Sequence, residues 1–115
     1  LPRRPELGRR AAIAAALGAG AAGLAGLVRA ADRPRTHEVV IQGLLYVPET
    51  LKVKRGDVVV WINKDPFPHT VTAPGAFDSG SIAAGKRWRF VARRAGRHAY
   101  VCTLHSNMKG ALEVE

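Results

Sequence analysis

Seven residues near the C-terminus constrain this chain more than any other stretch. Cys102-Thr103-Leu104-His105-Ser106-Asn107-Met108 holds the only cysteine and the only methionine of the 115 residues, with one of the four histidines between them. Thiolate, imidazole and thioether at three-residue intervals make a donor set for a copper ion that cycles between Cu(I) and Cu(II). A trigonal His2Cys site with a weak axial Met is an electron-transfer arrangement, and it needs a second histidine. His69, in Pro66-Phe67-Pro68-His69-Thr70-Val71, is the candidate. The expected ligands of one copper per chain are therefore His69, Cys102, His105 and Met108.

Taken singly, Cys102 reads as a small buried hydrophobe, Met108 as a core filler and His105 as a surface residue. Their clustering within one short segment argues against that. Zinc fits less well, because structural zinc sites close with Cys and His and methionine is a poor zinc ligand. A Cys–His nucleophilic pair is a further alternative. No oxyanion-hole pattern or third catalytic residue accompanies the pair.

The rest of the chain divides in two. In residues 1–30, Arg3, Arg4, Arg9 and Arg10 precede an uncharged Ala/Gly/Leu run at 11–28, and Val28-Arg29-Ala30 offers a small-residue cleavage site. That is the pattern of an export signal. The pair Arg9-Arg10 ahead of a weakly apolar, Gly-rich run matches a twin-arginine signal. A Sec signal with extra arginines and an uncleaved anchor are the alternatives. Residues 31–36 read as a linker and 37–115 as the folded domain. The mature part, from residue 31, has 13 Lys and Arg against 8 Asp and Glu, net +5. These charges are scattered, with no Arg-rich helix and no aromatic ladder, so nucleic acid is not the expected partner. A solvated surface that complements an acidic redox partner is the simpler reading.

From residue 37 every apolar run is short, Val-rich and bounded by Gly, Pro or Asp, which predicts strands and turns. Strands are expected at 37–42, 44–47, 51–54, 57–63, 69–73, 86–92, 97–102 and 111–115, with His105 on a loop. No long segment of the mature part has helical periodicity. The expected fold is all-β, a Greek-key β-sandwich. Alternation puts Val59, Trp61 and Asn63 on one face, as it does Trp88 with Phe90, and His98 with Tyr100 and Cys102. The four aromatics are expected in the core. His98 lies four residues before Cys102, about 13 Å along an extended strand, too far to share an ion. It is expected at the core edge, and His37 exposed.

At these residues the chain resembles the small cupredoxins, most nearly the amicyanin-like and plastocyanin-like ones. The shared pattern is a strand ending in Asn (Val58-Val59-Val60-Trp61-Ile62-Asn63), then Pro68-His69, then Cys102-x-x-His105-x-x-Met108. The His105–Met108 gap has the amicyanin spacing. Phe77-Asp78-Ser79-Gly80 and the run from Gly96 to Tyr100 also look like the family. The resemblance covers about 37–115 and implies a cupredoxin-like fold. It also implies that Asn63 ties its strand end to the Cys-bearing loop. The Thr70 backbone N–H, next to His69, is expected to reach the Cys102 sulfur. Leu104 and Ser106 stand where amicyanins usually carry proline. Leu104 therefore keeps an N–H that proline lacks, and it is expected to point at the same sulfur.

Taken with the export segment at 1–30, the resemblance implies an exported, periplasmic type 1 copper protein that carries single electrons. It is expected to be monomeric, not membrane-embedded in its mature form, and not an enzyme. Docking of redox proteins is expected near His105, amid Leu104, Pro66, Phe67, Pro68 and Met108. The alternative is a periplasmic copper carrier or chaperone that delivers the ion itself. A multicopper oxidase or nitrite reductase domain needs further histidine clusters, and only His37 and His98 remain.

Overall fold

The computed structural model describes residues 33–115, apart from the side chain of Ser106. The proposed export segment at 1–30 lies outside the described residues. Those described form an all-strand fold with two sheets and no helix. None of them belongs to a helix long and apolar enough to cross a membrane. The strands are β1 (Thr36–Gln42), β2 (Leu45–Val47), β3 (Thr50–Val53), β4 (Val58–Asn63), β5 (Thr72–Ala73), β6 (Phe77–Asp78), β7 (Arg87–Val91), β8 (Gly96–Cys102) and β9 (His105–Val114). Pro34–Glu115 is one compact unit.

One sheet has the order β2-β1-β4-β7 and the other β3-β9-β8-β5-β6. The chain repeatedly crosses between them. β1 and β2 pair antiparallel, and Gly43 and Leu44, both at positive φ (62° and 61°), form the two-residue turn. That hand of turn matches the twist of paired strands. β3 leaves for the second sheet and runs parallel to β9, and β4 returns to run parallel to β1. The starts of β1, β4 and β8 and the ends of β3, β7 and β9 share one pole of the sandwich. The ends of β1, β4 and β8 share the other.

Inward alternation fills the space between the sheets. Val39, Ile41, Val59, Trp61, Tyr100, Cys102 and Leu112 are buried, with Trp88, Phe90 and Phe77 half-buried against them. Burial of each large apolar side chain stabilises the fold by about 1.5–3 kcal/mol. Trp61 is the hub, with ring centroids of Trp88 at 5.4 Å and Tyr100 at 5.5 Å. Tyr100 crosses to Gly110 on β9, where a Cβ would lie 2.5 Å from the Tyr100 ring, so only glycine fits.

Three sequence expectations change. His105 is not on a loop: it opens β9, because Thr103 and Leu104 turn the chain within two residues and Cys102 pairs with His105. The strand expected at 69–73 begins only at Thr72, and His69 is held instead by a bridge to Ile82. His37 is half-buried rather than exposed, because its Nε2 lies 2.9 Å from the Asp57 carboxylate. His98 does sit half-buried at the core edge, its ring against Phe77 and its Nε2 2.9 Å from the Arg94 carbonyl.

Candidate metal centre

The site forms at the pole where β4, β8 and β9 meet. Asn63, the last residue of β4, is fully buried and organises the following loop. Its Oδ1 accepts the Asp65 N–H (2.9 Å), and its Nδ2 donates to the carbonyls of Phe67 (2.9 Å) and Ile82 (3.0 Å). His69 and Ile82 exchange both backbone hydrogen bonds, at 3.1 and 2.7 Å. The His69 backbone is thus fixed from two sides, and its ring is wholly buried.

Cys102 ends β8 and is buried. Its Sγ accepts the Thr70 N–H at 3.3 Å, as expected. His69 Nδ1 lies 3.7 Å from this sulfur and His105 Nδ1 3.6 Å. The three donor atoms all lie within 4.8 Å of one another. Imidazole and thiolate ligands bind metals at about 2.0 and 2.3 Å, and at trigonal angles such donors stand about 3.7 Å apart. The observed spacing is therefore one that a single ion can bridge. Met108 is buried and lines one groove with Leu44, Leu104, His105 and Asn107. Thiolate and thioether beside two imidazoles match copper better than zinc. The site fits one copper, whose chemistry is the loss and gain of one electron.

Two expectations need restating. Asn63 does not reach the Cys-bearing loop, because its amide is used up by Asp65, Phe67 and Ile82. Thr70 makes that tie: its hydroxyl oxygen accepts the Thr103 N–H at 2.9 Å and lies 3.2 Å from the Thr103 hydroxyl. Leu104 is 52% exposed. Among the described residues the backbone donor to Cys102 Sγ is Thr70, and no bond from Leu104 N–H is present. The tight turn is anchored through Thr103 instead.

Sequence reasoning missed Asp65. This buried carboxylate lies 2.7 Å from His69 Nε2, through its Oδ2. It also accepts the N–H groups of Gly43 (2.7 Å) and Leu44 (3.1 Å). Burial alone pushes a carboxyl upward, but the Leu44 and Gly43 N–H groups and His69 outweigh it and hold Asp65 below the usual range. The available signal was a carboxylate four residues before a candidate ligand. Tyr46 was missed too: its hydroxyl donates to the Thr70 carbonyl. Burial, then the nearby Cys102 and Tyr100, push its pKa upward, so it stays a donor.

With the sandwich and its Cys/His/His cluster described, comparison with known proteins gives the class. The cupredoxin-like domain model matches residues 10–114, and this chain belongs to that family. Within the family it is similar to the amicyanin of Paracoccus versutus, 30% identical over 95 residues that cover 76% of this chain and 72% of that protein. It is 29% identical to amicyanin-alpha of Methylorubrum extorquens over 113 residues, 91% of this chain and 95% of that one. A solved structure of an oxidised amicyanin point variant superposes with a TM-score of 0.66 at 29% identity, covering 70% of this chain and 82% of that one.

Proposed function

We propose that the protein is an exported type 1 copper protein that carries single electrons between redox partners, with copper held by His69, Cys102, His105 and Met108. The observation that carries this reading is the convergence of two imidazole Nδ1 atoms on the buried Cys102 sulfur at 3.7 and 3.6 Å. Three further features support it. The donor set is filled by side chains, which leaves no evident place for a substrate. The relatives are amicyanins. The rim near half-buried His105 is apolar, with Leu44, Phe67 and Leu104 exposed. Such a rim suits brief contacts with other proteins. Residues 1–30 act as the export signal, and the mature domain works as a monomer in the periplasm.

In this mechanism the chain's own residues do three things. Cys102 supplies the thiolate, whose charge on the metal is moderated by the Thr70 N–H. His69 and His105 orient their Nδ1 atoms toward the same point, and buried Met108 shields the site. Docking at the apolar rim brings a partner against the His105 edge.

Copper-loaded protein should turn intensely blue on oxidation, with one ion per chain. Cys102→Ala should abolish the colour, and Met108→Ala should keep copper but raise the reduction potential. A colourless one-to-one Cu(II) adduct of the unaltered protein would end the electron-carrier reading and favour a chaperone that exchanges Cu(I).

A further inference from the structure

We propose that Asp65 is a positioning residue that sets the copper potential through His69, and that it fastens this ligand to the Gly43–Leu44 turn at the docking rim. The inference rests on the copper reading above and goes beyond it to a residue outside the ligand set.

The geometry is unambiguous about roles. His69 Nδ1 faces Cys102 Sγ, so its lone pair must be free for the metal and the ring proton sits on Nε2. That N–H donates to Asp65 Oδ2 at 2.7 Å, inside a region where both residues are buried. A carboxylate that accepts an imidazole N–H makes the ring a stronger donor and fixes its orientation. Stronger donation, together with a nearby negative charge, favours Cu(II) over Cu(I), so Asp65 lowers the potential. His105 differs. Among the described residues the one hydrogen-bond-range contact of its ring is with Cys102 Sγ, and no carboxylate faces it. The two histidines are thus unequal donors.

The same carboxylate is shared. Oδ1 accepts the Gly43 N–H, and Oδ2 accepts both the Leu44 N–H and His69. Leu44 is held at φ 61°, uncommon for a side chain of its type. Its exposed side chain lines the groove with Leu104, His105 and Met108. Asp65 therefore holds a copper ligand and a piece of the partner-facing rim with one group.

The test uses the copper-loaded full chain. Asp65→Asn offers one acceptor oxygen and no charge. It should shift the Cu(I)/Cu(II) equilibrium about tenfold toward Cu(I), a rise of about 59 mV for a one-electron couple, with the blue band retained. Asp65→Glu keeps the charge and should stay closer to the unaltered potential than Asp65→Asn does. In the unaltered Cu(II) protein, electron spin-echo modulation should resolve two inequivalent remote imidazole nitrogens, a readout that holds even if neither variant folds. An unchanged potential in blue Asp65→Asn, equal shifts in both variants, or two equivalent remote nitrogens would each overturn the inference alone. If the unaltered protein never turns blue with Cu(II), the copper reading falls and takes the inference with it.

Discussion

At the scale of single residues, what could be read in advance depended on rarity. One cysteine, one methionine and few histidines left little choice of ligands, so the cluster at Cys102 stood out from the residue types alone. Asp65 did not, because an Asp between Lys64 and Pro66 looks like an ordinary turn residue. Its role is conferred by Gly43 and Leu44, more than twenty positions away, and only folding brings them together. Gly110 was equally silent, although a Cβ there would lie 2.5–2.7 Å from Tyr100 ring and hydroxyl atoms. The ring is buried among Trp61, Tyr46 and Phe77 and has no room to retreat. Gly110→Ala should therefore cost about 1–3 kcal/mol, the usual penalty of overpacking a core. The check is a lower denaturant midpoint with an unchanged slope, and recovery of much of the loss when Tyr100→Leu is combined with it. Equal midpoints for Gly110→Ala and the parent would show that the sheet gives way more easily than its packing implies.

At the scale of elements, strand existence was legible and strand pairing was not. Alternation placed Trp61, Asn63, Tyr100 and Cys102 correctly on inward faces. However, the parallel partners β1 with β4 and β3 with β9 lie far apart in sequence. The two-residue strands β5 and β6 are too short for any period to show. The start of β1 and the end of β3 are gathered by Asp57. Its carboxylate accepts the N–H of Arg35 before β1 and of Lys54 after β3, both at 3.0 Å, and faces His37. Burial pushes this carboxyl up, but the bonds from Arg35, His37 and Lys54 prevail and bring it to about 2, against an ordinary 3.8. A depressed folded value means that the unfolded chain takes up the proton first. The stabilisation is complete above about pH 4 and is lost as pH falls toward 2. Acid titration of unfolding should show this as a loss of stability between about pH 4 and 2 that Asp57→Asn lacks. Parallel profiles for the parent and Asp57→Asn would contradict the assignment.

At the scale of the whole molecule, composition revealed the net charge but not its arrangement. The strand ends put exposed Arg35, Lys54, Arg55, Arg93 and Arg94 at the pole opposite the metal centre. Among the described acids there, Glu113 is paired with Arg97 and Asp57 is occupied internally, while Glu115 ends the chain beyond β9. The rim immediately around His105 is apolar, while exposed Lys64 and Lys86 stand farther out at the end of β4 and the start of β7. The scattered basic residues read as a solvated surface that complements an acidic redox partner, and the fold gathers several of them at the far pole. Contact through the rim should therefore respond weakly to salt. Electron self-exchange between two copies, followed by line broadening, should change less than about threefold between about 0.1 and 1 M salt, where the screening length is about 10 Å or less and the far cations lie beyond it. A steep salt dependence would mean that charge, not the apolar rim, guides the encounter. The same separation gives the protein a front and a back. On an anionic electrode coating it should land on its arginine-bearing pole, hold the copper end toward solution and exchange electrons with the electrode slowly. On a methyl-terminated coating it should turn over, lay Leu44, Phe67 and Leu104 against the film, and give a fast, reversible current.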